Sequence, residues 1–187
     1  MTLNKTKIAA LLGLALALGS GTAMAEETFW GWLGTFSHTS GVAPVKNKQY
    51  IEECGSCHFA YQPGLLPEKS WDKLLTSQAL HDHFGEVADL DKDTLESLRQ
   101  YVLANSADKS YYKIARKISA ATEDSEAPLR ITEVRYIKRK HHRIPEKMIK
   151  DNKDVKSLSY CNACHTKADD GIFKEDTVSI PNFPDYR

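Results

Sequence analysis

The chain has 187 residues, with 25 Lys and Arg against 25 Asp and Glu, a formal net charge of zero and 41% hydrophobic residues. So even a balance leaves no basic footprint, which excludes nucleic acid as a partner class, and the length suits one domain. Only four cysteines and seven histidines are present, so each can be read position by position.

Lys5 and Lys7 precede an apolar run from Ile8 to Leu18, and Ala23-Met24-Ala25 supplies small residues at the two positions a signal peptidase reads. Residues 1–25 are therefore expected to be a Sec signal peptide, cleaved after Ala25. The apolar run is too short for the roughly 20 residues a membrane span needs, and no later stretch comes close. No Cys follows the cleavage point to carry lipid, and there is no twin-Arg pair. A soluble periplasmic protein of residues 26–187 is expected, with no membrane span after cleavage. It keeps 23 of the basic side chains against 25 acidic ones.

Val45 to Glu53 reads as a helix that delivers Cys54, and Pro63-Gly64 marks a turn. Pro67 to Gln78 reads as a second helix with Trp71, Leu74 and Leu75 on one face. Asp93 with Glu96 three residues on resembles a capping box opening a helix through Ala104, with Leu95, Leu98 and Val102 as its apolar stripe. Ser110 to Ala121 is a further helix presenting Tyr111, Ile114, Ala115 and Ile118. These stripes are read first as core packing. A polar loop from Thr122 to Pro128 leads to a basic segment, Arg130 to Lys150, then a short approach helix into Cys161. The end, Asp169 to Arg187, is expected to be irregular. Alternating strand patterns are scarce, so the fold class is mostly α. No linker or low-complexity tract divides the chain.

All four cysteines belong to two copies of one pattern, Cys54-Gly55-Ser56-Cys57-His58 and Cys161-Asn162-Ala163-Cys164-His165. Cys-x-x-Cys-His is the attachment signature of c-type haem. Two thiols three residues apart lie on one turn and can form thioethers with the haem vinyl groups, while the adjacent His turns onto the iron as proximal ligand. Paired Cys-x-x-Cys in a zinc ribbon are spaced roughly 15–20 residues apart, whereas more than a hundred residues separate these pairs. A disulfide framework or redox motif needs no His after the second Cys. The chain is thus expected to carry two covalent haem c groups, with iron bound by His58 and His165. The first is assigned to residues 26–107 and the second to residues 108–187. Export agrees with this, because bacteria attach c-type haem outside the cytoplasm, and the buried haem discs add to a core that so charged a chain would build thinly.

The sixth ligand separates an electron carrier from a haem with an open position. Only Met148 remains as a methionine in the mature chain, so at most one iron can be His/Met. His38, His81, His83, His141 and His142 remain for two places, which favours bis-His on both. A surface His is more often a solvated side chain than a ligand, but position narrows the choice. His83 lies 25 residues past His58, between two expected helices, with His81 as its competitor; His141 and His142 precede the second motif by about twenty residues. His38, among Trp30, Trp32 and Phe36, is least constrained.

Glu53 to Pro67 around the first motif, then Trp71, His83-Phe84-Gly85-Glu86, Arg130-Ile131-Thr132, and Cys161 through Gly171-Ile172-Phe173 resemble the bacterial dihaem cytochrome c family. The resemblance spans most of the mature chain. It implies a small helical cytochrome with two bis-His low-spin haems, associated with a membrane cytochrome b, and in some members donating electrons to a soluble high-spin cytochrome c that binds oxygen. It places the first distal ligand at His83 and the second at His141, a His separated by two residues from Ile144-Pro145, with the adjacent His142 as the alternative. Residues 26–44 align with nothing in the family.

Arg135, Lys138, Arg139, Lys140, Arg143, Lys147 and Lys150 crowd the second distal region, and Glu86, Asp89, Asp91, Asp93 and Glu96 lie near the first. Such clusters are more often solvated faces than sites; functionally, they would pair with haem propionates or steer donor and acceptor to opposite ends. The expected function is electron transfer, with no catalytic residue and no substrate transformed. The competing class is a haem enzyme or gas sensor with one open axial position, peroxidase-like or ligand-binding.

Overall fold

The computed structural model describes residues 40–122 and 127–186. The expectations for the signal peptide and for His38 fall outside the described residues. Helix α1, Lys48–Cys54, starts where the Asn47 side chain accepts from the Tyr50 N–H, and it ends on the first motif cysteine. Its start lies three residues later than the periodicity indicates.

The helix expected over residues 67–78 breaks in two: α2, Glu68–Leu74, and α3, Ser77–His81. The Thr76 hydroxyl accepts from the Ala79 N–H, so a new cap interrupts what hydrophobic spacing reads as continuous. Trp71, Leu74 and Leu75 are nonetheless all buried. Helix α4, Lys92–Ala104, begins at Asp91, whose carboxylate accepts from the Asp93 and Thr94 N–H groups. The cap therefore precedes the residue marked by the capping-box pattern, while Leu95, Leu98 and Val102 form the buried stripe as expected.

Helix α5, Lys113–Thr122, carries Ala115 and Ile118, each fully buried. Tyr111, assigned to the same stripe, precedes the helix and is 71% exposed. Helix α6, Arg135–His141, occupies the basic segment. The approach to the second motif is a series of turns, and α7, Cys161–Cys164, covers the motif itself. Short 3₁₀ turns at Pro63–Leu65, Ala107–Lys109, Ile131–Glu133, Glu146–Met148 and Glu175–Thr177 join these helices. Among the described residues there is no sheet; isolated antiparallel bridges pair His83 with Glu86 and His165 with Val178.

One apolar cluster gathers Leu65, Leu66, Trp71, Leu98, Val102, Ala115, Ile118, Val134 and Tyr136, so α2 packs on α4 and α5 packs on α6. The buried Trp71 indole donates to the Pro63 carbonyl at 2.7 Å. Towards the C-terminus Asn152, 4% exposed, replaces helix packing with hydrogen bonds. Its amide donates to the carbonyls of Met148 and Pro181, and its oxygen accepts from Asn182. Met148 is itself buried. Gly41 and Gly171 let two backbones meet: Val42 N–H donates to the Gly171 carbonyl at 3.0 Å, and Gly171 has φ +71°. No helix among the described residues is long and apolar enough to cross a membrane.

Candidate functional site

The four thiols form no disulfide; the first pair lies at and just past the end of α1, and the second lies on α7. Burial pushes the Cys54 and Cys161 thiols up to about 11, with the neighbouring Glu53 adding to the shift at Cys54. Both are protonated thiols at neutral pH, and they lack the electropositive surroundings that make a thiolate.

At the first motif, the chain leaves α1 through Gly55 and turns His58 inward, half-buried. Its Nδ1 lies 2.8 Å from the Phe59 carbonyl oxygen. A carbonyl can only accept, so Nδ1 carries the proton and Nε2 keeps the lone pair that ligates a metal. The His58 and His83 ring centroids are 6.3 Å apart, with planes inclined by 22°. His83 comes from the opposite side on a tight turn. Its N–H donates to the Glu86 carbonyl at 2.8 Å, the Glu86 N–H returns to the His83 carbonyl, and Phe84 and Gly85 between them have φ of 60° and 99°. Positive φ at both central residues is the pattern of a type I′ turn. Burial holds the His83 imidazole below its ordinary value, and the charges of His58 and Arg130 add to this.

At the second motif, His165 follows α7 and is pinned by its bridge to Val178 and by Ser179 N–H donating to the Cys164 carbonyl. Burial, with His141 nearby, pushes it down to about 4, so it is neutral and able to ligate. The His141 and His165 centroids are 6.0 Å apart with planes at 75°. His141 Nδ1 donates to the Ile137 carbonyl one helical turn back, at 2.9 Å, which again leaves Nε2 as the free lone pair.

These spacings test whether the residues fit haem. An imidazole nitrogen sits about 2.0 Å from a bound metal, as on zinc, and roughly 1.1 Å from its ring centre, so two imidazoles on opposite sides of one ion have centroids about 6 Å apart. Both pairs have that separation. His83 and His165 also have buried Nδ1 atoms without a hydrogen-bond partner among the described residues. Among the described residues, no group of three or more His, Cys, Asp and Glu converges as it would for a bare metal ion. The donor sets suit a planar iron cofactor held by one thiol pair and two imidazoles.

The alternative histidines are placed differently. His81 has a side chain 67% exposed, with Nδ1 3.1 Å from the Asp89 carboxylate. His142, at the C-cap of α6, is exposed and donates to the Arg139 carbonyl.

The charge clusters are partly spent within their own elements. Asp91 caps α4, Asp89 faces His81, Glu96 accepts from Gln100, and Lys150 pairs with Glu146.

Two residues that motif reading passes over connect the sites. The Tyr61 ring packs 4.9 Å from His58, and its hydroxyl donates to the Ser159 carbonyl at 2.6 Å, just before the second motif. Gln62, 1% exposed, donates to the Ala168 carbonyl at 2.5 Å, just after that motif. The sequence signal for them is their place in the stretch after Cys54–His58 that carries the family resemblance; their acceptors are backbone atoms, which leave no mark in a sequence.

Residues 50–173 match the model of the dihaem cytochrome c family. Among solved structures, the diheme cytochrome c of Shewanella baltica OS155 is 36% identical, with a TM-score of 0.61, over 75% of this chain and 98% of that one. The diheme cytochrome c of Rhodobacter sphaeroides is likewise 36% identical with a TM-score of 0.61, over 71% of this chain and 100% of that one. A second structure from Rhodobacter sphaeroides gives 36% identity and a TM-score of 0.55, over 70% and 99%. No curated protein matches the chain. With the family model covering both Cys-x-x-Cys-His motifs and the same helical fold in these structures, the chain belongs to the dihaem cytochrome c family.

Proposed function

We propose that this protein is a periplasmic electron carrier, exported by the Sec route, with two covalent haem c groups that are both bis-His and low-spin. Cys54 and Cys57 attach the first haem, ligated by His58 and His83; Cys161 and Cys164 attach the second, ligated by His165 and His141. Residues 26–107 and 108–187 serve one haem each. When bound, haem iron supplies one-electron chemistry between Fe(II) and Fe(III), and the protein sets ligands, burial and charge around it.

The observation that carries the reading is the imidazole opposite each motif histidine, at 6.3 and 6.0 Å. With both axial places filled, no position is left for a substrate, and the protein's task reduces to accepting and passing electrons. A membrane cytochrome b or other carrier suits the donor side, and a soluble acceptor such as a high-spin cytochrome c the other.

The test compares electron paramagnetic resonance of oxidised wild type with His83→Ala, His141→Ala, His81→Ala and His142→Ala. The first two variants should each convert one of two irons to high spin, and the last two should leave both low-spin. High-spin iron in the wild type, or rapid stoichiometric carbon monoxide binding to its reduced form, would move it to the enzyme or gas-sensor class. A high-spin signal from His142→Ala, with His141→Ala unchanged, would shift the second ligand by one residue.

A further inference from the structure

We propose that Arg130 and Phe84 form a latch that holds His83 in place as distal ligand, and that opening it gives carbon monoxide access to the first haem. The inference rests on the reading of His83 as that ligand. The Arg130 guanidinium carbon lies 3.9 Å from the Phe84 ring centroid, close enough for a planar stack as well as a cation–π contact. Phe84 immediately follows His83 in the turn, and its ring packs edge-on against the imidazole with centroids 4.9 Å apart, so displacing the ring removes a wall from the imidazole.

Two features make this contact matter at that position. Phe84 has φ 60°, a conformation that a bulky L residue rarely adopts, in a turn where Asn or Gly is the usual choice. Phe84 is also 44% exposed, so core burial does not compensate for the strained backbone. The turn is otherwise held by local hydrogen bonds: the pair between His83 and Glu86, and Gly85 N–H to the Asp82 side chain. Arg130 adds a long-range contact that ties the turn to the segment leading into α6. Both residues line a surface cleft of about 470 Å³ with Lys73, Leu129 and Glu133, where the stack can separate without unpacking the apolar cluster.

Carbon monoxide reads the latch, because it binds reduced bis-His iron only as fast as the distal imidazole leaves. Losing a partly exposed cation–π contact should raise the population of the open turn, and so the uptake rate, about two- to fivefold. Arg130→Gln and Phe84→Leu should each speed carbon monoxide uptake by one haem to this extent, while the spectrum without carbon monoxide stays low-spin. The double variant should be no faster than the faster single one, since both remove the same contact. Uptake at the wild-type rate in either single variant, or rate gains that multiply in the double variant, overturns the latch. His83→Ala separates the two levels. If it leaves the first haem low-spin, the ligand assignment fails. If it opens that haem while Arg130→Gln leaves uptake unchanged, only the latch fails.

Discussion

Tyr61→Phe deletes one oxygen and tests whether the contact between the two motif regions contributes to stability. The ring stays, with its neighbours His58 at 4.9 Å and Phe59 at 5.6 Å, and only the 2.6 Å bond to the Ser159 carbonyl is lost. Ser159 is half-exposed, so water can take over the acceptor and no buried group is orphaned. The expected loss is therefore the net value of a single hydrogen bond, about 1 kcal/mol. For a chain of this size that lowers the melting temperature by about 2–4 °C. Tyr61→Leu also removes the ring and should cost roughly 0.5–1.5 kcal/mol more for the aromatic pair alone. The assay is thermal unfolding of oxidised, fully loaded protein followed by circular dichroism, with the visible spectrum as a control that stays low-spin in Tyr61→Phe. A melting temperature identical to wild type in Tyr61→Phe, or Tyr61→Leu no worse than Tyr61→Phe, would refute the reasoning.

The imidazole planes at 22° and 75° should make the two haems spectroscopically unlike. Near-parallel planes split the iron orbitals into a rhombic signal and near-perpendicular ones leave them almost degenerate, so low-temperature electron paramagnetic resonance should resolve two low-spin species; one species accounting for both irons would contradict the geometry. Burial pushes Tyr61 up to about 12 and holds Tyr50 well above the usual tyrosine range. The folded state therefore keeps protons that the unfolded chain releases from pH about 10, so stability should be full below that pH and fall as the pH rises through the folded values, with a shallower fall in Tyr50→Phe when denaturant midpoints are compared. A Cβ on Gly171 would meet the Val42 carbonyl at 2.1 Å, whereas one on Gly85 meets nothing within 4 Å. Chemical unfolding should thus show Gly85→Ala costing about 1–2 kcal/mol for its left-handed backbone and Gly171→Ala costing distinctly more.

The two candidate sites stand out in the sequence because the chemistry constrains spacing: thioether attachment of haem would require Cys-x-x-Cys-His, and the chain holds that pattern twice. Helical stripes are legible for a similar reason, and Leu98, Val102, Ala115 and Ile118 are buried where their period puts them. Boundaries are less so, because they depend on which of several polar side chains wins a cap. Asp91 takes the cap of α4 from a pattern centred on Asp93, and Thr76 cuts one apolar stripe into two helices. Sequence reasoning meets Tyr61, Gln62, Phe84 and Arg130 only as part of a family likeness and pairs none of them, because their partners are distant carbonyls or a distant side chain. Contacts of that kind depend on the tertiary path of the chain.

The bonds from Tyr61 and Gln62 join residues 98 and 106 positions apart. Bringing such distant segments together costs loop-closure entropy before the bonds return anything, so they belong to the slow end of folding. Until they close, the first thiol pair lies at and just past the end of the seven-residue α1 and the second on the four-residue α7, helices too short to be stable alone. In the proposed dihaem protein the contact across the motifs would therefore be a late event, closing only after each thiol pair has been presented on its own stretch of chain.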